Sequence, residues 1–151
     1  MRYVRAERYA MQLKIFQPET ETALPLPLFS SSVKAGFPSP AEDHIEEKLD
    51  LNRLMIEHPA ATFFLRVEGE SMENANIHPG DILVVDRALT PQSGQIIVAV
   101  LNGEFTVKRL KKKESRLYLL PENPAFPELE ITAETEFQIW GVVTFIIHKA
   151  R

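Results

Sequence analysis

The hydrophobic pattern changes period partway along the chain. Ile45, Leu49, Asn52 and Ile56 follow one another at spacings of four, three and four, which predicts one mostly apolar helical stripe. Ahead of it, Ser39-Pro40-Ala41-Glu42 places a capping serine, a proline in the first helical position and a glutamate three residues after the cap. Asp50 could cap a second short helix, so residues 40–57 read as one helix or two, ended by His58-Pro59. Beyond that point the pattern is β. Thr62 to Val67, Ile82 to Asp86, Gln95 to Leu101, Glu104 to Leu110, Arg116 to Leu120 and Phe137 to His148 are short and rich in β-branched and aromatic residues. His78-Pro79-Gly80-Asp81, Pro91-Gln92-Ser93-Gly94 and Asn102-Gly103 separate them, and Asn102-Gly103 between two apolar runs is a strong hairpin signal. Helical segments do not recur between the strands, so a parallel βαβ sheet is not expected. The expectation is a mainly β fold: a compact, mostly antiparallel β body with a short helical segment at its start and an extended N-terminal arm.

The arm is where proline concentrates. Five of the 11 prolines fall between Pro18 and Pro40, and proline holds its own φ and its predecessor in extended conformations. Leu24, Leu26, Leu28, Phe29, Val33 and Phe37 are interspersed, so the stretch needs a surface to lie on. Residues 1–38 are therefore expected to form an extended arm and residues 39–151 the folded body.

Composition narrows the function classes. With 151 residues, 44% of them hydrophobic and 25% charged, the chain fits one globular domain. Its net charge of −4 argues against nucleic-acid binding by blanket charge neutralisation. The balance is uneven: residues 1–40 carry five basic and three acidic side chains, the remainder 12 and 18. The absence of cysteine removes disulfides, thiolate nucleophiles and thiolate metal sites. The longest apolar run, Ile96 to Leu101, is far short of the about 20 residues a bilayer span needs. The charged N-terminal stretch does not read as a signal peptide, so a cytoplasmic protein without membrane contact is expected.

Few residues then remain to carry chemistry. The four histidines (44, 58, 78 and 148) show no ligand spacing, and the glycines sit singly at turns, so neither a metal site nor a cofactor is expected. The run Lys108 to Lys113 reads first as a solvated hairpin end, with nucleic-acid contact as the alternative. In Gly69-Glu70-Ser71-Met72, a strand ends and a short helical turn over Met72 to Asn76 could begin. Serine there exposes its hydroxyl beyond the sheet edge, and the backbone N–H groups of Ser71 and Met72 could form an oxyanion hole. The competing reading is a plain helix-cap serine. In the strand Glu104 to Leu110, Lys108 shares a face with Thr106 and Leu110, so it is either a snorkelling surface residue or a desolvated one. Only the second makes a base, because an ordinary lysine, with a pKa of about 10.4, is almost wholly protonated at neutral pH.

The runs EGESMENANIHPGDILVVDRAL and NGEFTVKRL resemble the LexA/UmuD family of self-cleaving Ser-Lys peptidases, and FPSPAEDHIEEKLDLNRLMIEHP resembles its UmuD branch in particular. The likeness runs from about Leu24 to the C-terminus; residues 1–23 carry no family motif. It implies that Ser71 is the nucleophile, that Lys108, 37 residues later, is its general base, and that Ala35-Gly36 is the scissile bond. Gly80-Asp81 would be a structural turn. It implies further a homodimer, cleavage stimulated by a RecA filament on single-stranded DNA, and a shortened product that joins an UmuC-type error-prone polymerase. A LexA-like repressor would need a helix-turn-helix core that the proline-rich arm cannot supply. A signal peptidase would be expected to carry a membrane anchor. In a non-catalytic β interaction module, Ser71 would be only a cap and Lys108 only a surface residue.

Overall fold

The computed structural model describes residues 15–29 and 45–150, so Ala35-Gly36, the Ser39-Pro40 cap and His44 lie outside the described residues. These residues fall into two compact units. One comprises residues up to Pro18 together with those from His58 onward, and the other spans Glu19–Glu57.

In the smaller unit, strand β2 (Leu26–Phe29) pairs antiparallel with β3 (Ile45–Leu49), and a short helix α1 (Leu51–Met55) follows. Of the one or two helices expected over residues 40–57, the described residues carry only the short second one, and Ile45–Leu49 is a strand instead. Ile45 and Leu49 are four apart, which puts them on one side of a strand as readily as on one face of a helix. Pairing with β2 decides for the strand. Pro27 is tolerated because a two-stranded ribbon leaves each strand an outer edge, where a missing N–H breaks no ladder. Asp50 does cap α1: its carboxylate accepts the Asn52 N–H at 3.0 Å.

The larger unit is an antiparallel sheet built from β1 (Ile15–Phe16), β4 (Thr62–Arg66), β5 (Ile82–Asp86), β6 (Ile96–Leu101), β7 (Glu104–Lys113), β8 (Arg116–Leu120), β9 (Leu129–Ile131) and β10 (Phe137–Ile147). Among the described residues the strand order is β1-β4-β5-β10-β6-β7-β8-β9. Each of the six strands read from the sequence is present, while β1 and β9 are additions too short to leave a period-two signal. Asn102 and Gly103 both take positive φ (48° and 82°), the conformation a tight two-residue hairpin requires, and bring β6 onto β7 from Ile96↔Arg109 to Leu101↔Glu104.

The sheet buries apolar side chains on both faces. Val98 packs with Leu65, Val67, Met72, Ile77, Leu83, Val85 and Phe105, whereas its neighbours Ile97 and Ala99 pack with Leu110, Leu119 and Val142. Strand alternation sends successive residues to opposite sides, so a strand covered on both needs the unbroken apolar run that Ile96 to Leu101 supplies. β10 crosses close to β5 at Gly141, where an added Cβ would stand 2.5 Å from Val85 Cγ1. That approach coincides with a register shift between Ile139 and Gly141.

Candidate active site

The β4–β5 ladder continues one step past its strands. Val67 N–H donates to the Asp81 carbonyl at 2.8 Å, and Gly80 N–H donates back to the Val67 carbonyl at 2.9 Å. Residues 68–79 are thus a loop with a closed base. Two apolar side chains pin it to the core: Met72, 3% exposed, and Ile77, fully buried. Between them Glu73–Ala75 makes a single 3-10 turn, ended by Asn76 at φ 59°. Ser71 immediately precedes the first anchor, so burial of Met72 limits how far the Ser71 backbone can stand from the core. Among the described residues, the backbone bonds of this loop run from the amides of Glu73, Asn74, Ala75, Asn76 and Ile77, and none from those of Ser71 or Met72.

Lys108 comes from the other side of the sheet order, on β7, in register with the fully buried Ile97. Its Nζ donates to Ser71 Oγ at 2.9 Å and to the Val107 carbonyl at 3.1 Å. Burial pushes the amine below the ordinary lysine range, since removing it from water penalises the charged form. A neutral amine at this distance has a lone pair to accept the hydroxyl proton, with the Val107 carbonyl holding one of its remaining N–H groups. The two residues singled out from the sequence are therefore neighbours in space, in the arrangement a hydroxyl nucleophile and its base require.

A third segment closes the site, and the sequence carried no signal for it. Residues that follow β8 run beside Ser71: Glu122 N–H donates to the Ser71 carbonyl at 2.8 Å, and Asn74 N–H donates to the Glu122 carbonyl at 3.1 Å. The Asn123 side-chain amide donates to the Glu70 carbonyl at 3.0 Å. Arg109, the residue after Lys108, donates from Nε to the Glu122 carboxylate and from its guanidinium to the Gly94 carbonyl at 2.6 Å.

Other residues noted in the sequence have different surroundings. Gly80 takes a turn φ of 91°, and Asp81 is a buried carboxylate that accepts the His78 N–H at 2.9 Å and faces His148 Nδ1 at 2.6 Å. Burial alone would raise its pKa, but the His78 amide and the His148 ring outweigh it and hold the carboxyl below its ordinary range. His58 stands against the buried Asp86 at 2.6 Å. Histidines 58 and 148 thus remain at the surface, their side chains 40% and 41% exposed, and each backs a buried aspartate from there. Among the described residues no group of three His, Asp or Glu side chains is arranged to hold a metal ion. In the basic run, Lys111 and Glu128 stand 3.8 Å apart, and Lys112 donates to the Pro91 carbonyl at 3.2 Å.

Residues 27–144 match the Peptidase S24-like family. The chain is 53% identical to the protein SamA of Salmonella typhimurium over 135 residues, which cover 89% of this chain and 91% of SamA. It is 45% identical to the protein MucA of Escherichia coli over 136 residues, 89% and 92% of the two chains. Similarity to LexA repressor 1 of Pseudomonas putida, 41% over 118 residues, covers 78% of this chain but only 58% of that protein.

Proposed function

The chain belongs to the Peptidase S24-like family, the serine peptidases of the LexA/UmuD type, and from that premise we propose that it cleaves its own Ala35-Gly36 bond with Ser71 as nucleophile and Lys108 as general base. The observation that carries the reading is the 2.9 Å contact between Lys108 Nζ and Ser71 Oγ, made where burial favours the neutral amine. Family membership alone would not select these two residues.

In this mechanism the arm lays Ala35-Gly36 across the pair. Lys108 takes the hydroxyl proton as Ser71 Oγ attacks the Ala35 carbonyl carbon. The amides of Ser71 and Met72 face the developing oxyanion. The tetrahedral intermediate collapses, the C–N bond breaks, and the Lys108 ammonium protonates the departing Gly36 amine. Water, deprotonated in turn by Lys108, releases Ala35 from the ester and restores Ser71. Both residues at the scissile bond are small, which suits a narrow cleft.

We place this activity in the bacterial SOS mutagenesis response. A RecA filament on single-stranded DNA favours the arm-docked conformation without adding a catalytic group, and the product, residues 36–151, serves as a homodimeric accessory subunit of an UmuC-type translesion polymerase. The test is mass spectrometry of the full chain incubated with RecA, single-stranded DNA and a nucleotide. A new fragment beginning at Gly36, absent from Ser71→Ala, is the expected result; equal cleavage of Ser71→Ala would exclude the mechanism.

A further inference from the structure

Serine and lysine meet here from segments that are remote in sequence, so something must hold the loop carrying Ser71 against β7. Met72 and Ile77 anchor that loop to the core from below. Lys108 Nζ donates instead to Ser71 Oγ and the Val107 carbonyl, and an apolar contact sets depth better than it sets angle. Direction comes from hydrogen bonds, and these run to Glu122 and Asn123.

The pattern is reciprocal. The Glu122 main chain brackets Ser71, donating to its carbonyl at 2.8 Å and accepting from the Asn74 N–H at 3.1 Å. One residue on, Asn123 reaches the Glu70 carbonyl at 3.0 Å, while its own Oδ1 accepts the Ala125 N–H at 3.0 Å. The Asn123 amide is thus used at both ends, which fixes its rotamer. The Glu122 carboxylate pairs with Arg109, and Arg109 is held a second time by the Gly94 carbonyl. Along β7, Lys108 and Arg109 are consecutive, so alternation sends their side chains to opposite sides. Both nonetheless hold the same loop, Lys108 directly through Ser71 Oγ and Arg109 indirectly through Glu122.

We infer that Glu122 and Asn123 are positioning residues of the active site, tying the Ser71 loop to Arg109 and so setting the approach of Ser71 Oγ to Lys108 Nζ. The inference rests on the proposed Ser71–Lys108 reading, and it extends it to residues that touch neither reacting atom. A reacting pair misplaced by a fraction of an ångström loses rate steeply, so the clamp acts on the chemical step more than on folding.

The experiment compares full-length wild type, Asn123→Ala, Glu122→Ala, Glu122→Gln and Ser71→Ala for self-cleavage across neutral to alkaline pH, well below each protein's melting temperature. Asn123→Ala and Glu122→Ala are expected to lower the alkaline plateau about tenfold, a change of about 1.4 kcal/mol in the barrier. They should also move the pH midpoint upward, because a loosened loop admits water to the Lys108 amine. Glu122→Gln keeps an oxygen acceptor for Arg109 and should recover most of the plateau. Hydrogen exchange at the Asn74 and Glu122 amides reads the clamp without any cleavage, and both should exchange faster in Asn123→Ala. Unchanged exchange, plateau and midpoint in both alanine variants would overturn the positioning role, even with Ser71→Ala inactive. Cleavage that survives Ser71→Ala would instead refute the underlying mechanism and leave the exchange result to decide the clamp.

Discussion

Lys108 illustrates how one side chain changes character with its surroundings. In the sequence it heads a basic run, and an ordinary amine there would stay protonated at neutral pH. Burial beside Ser71 lowers its pKa, so at any given pH more of it is neutral than of an exposed lysine. Under the proposed mechanism the active form is the deprotonated one. Self-cleavage should therefore rise about tenfold per pH unit below the amine's pKa and level off above it. A pH–rate profile of the purified chain checks this, and a flat profile would contradict it. Lys108→Arg retains the charge but cannot give up its proton, so cleavage should fall by at least about 100-fold at every pH with the fold intact. Asp81 works in the opposite sense. Its carboxyl is held low by the His78 amide and the His148 ring, so the stability it contributes is present above the ordinary carboxylate pKa of about 3.9 and is lost as pH falls through the lower folded value. The stability gap between wild type and Asp81→Asn should accordingly be largest near neutral pH and shrink below about pH 4 in denaturant titrations.

At the scale of elements, the β strands were readable because their burial is periodic or complete. Ile82 to Asp86 and Ile96 to Leu101 have too few polar interruptions to be anything but covered strands. Ile45–Leu49 was not readable, because residues four apart satisfy both periods and the deciding partner, Leu26–Phe29, lies in a proline-containing stretch. Gly141 was equally opaque. It is needed where β10 presses against β5, and a contact between strands so far apart in sequence leaves no local trace. Gly141→Ala drives a methyl to 2.5 Å from Val85 Cγ1, whose own side chain is fully buried and has nowhere to retreat. The variant should lose about 1–3 kcal/mol in urea unfolding.

For the whole molecule, the proposal makes the frequency of arm docking the quantity that controls cleavage. Under the proposal, RecA on single-stranded DNA shifts a population of docked arms and supplies no catalytic group. Stimulated cleavage at neutral pH should therefore still vanish in both Ser71→Ala and Lys108→Arg, as followed by the appearance of the shortened chain. Activation that rescued either variant would show that the filament brings chemistry of its own. Among the described residues no helix is long and apolar enough to cross a membrane.

The sequence by itself determined the mainly β architecture, the Asn102-Gly103 hairpin and the serine and lysine worth testing. Those are local matters: strand periodicity, turn conformation, and motifs whose residue types limit the chemistry available. Only the tertiary structure decided that Ser71 Oγ and Lys108 Nζ stand 2.9 Å apart, that Ile45–Leu49 is a strand, and that Arg109, Glu122 and Asn123 bind the Ser71 loop to β7. Each of these depends on which distant segments share a sheet. A hydrogen bond between residues 53 apart, such as Asn123 to Glu70, has no periodicity to betray it.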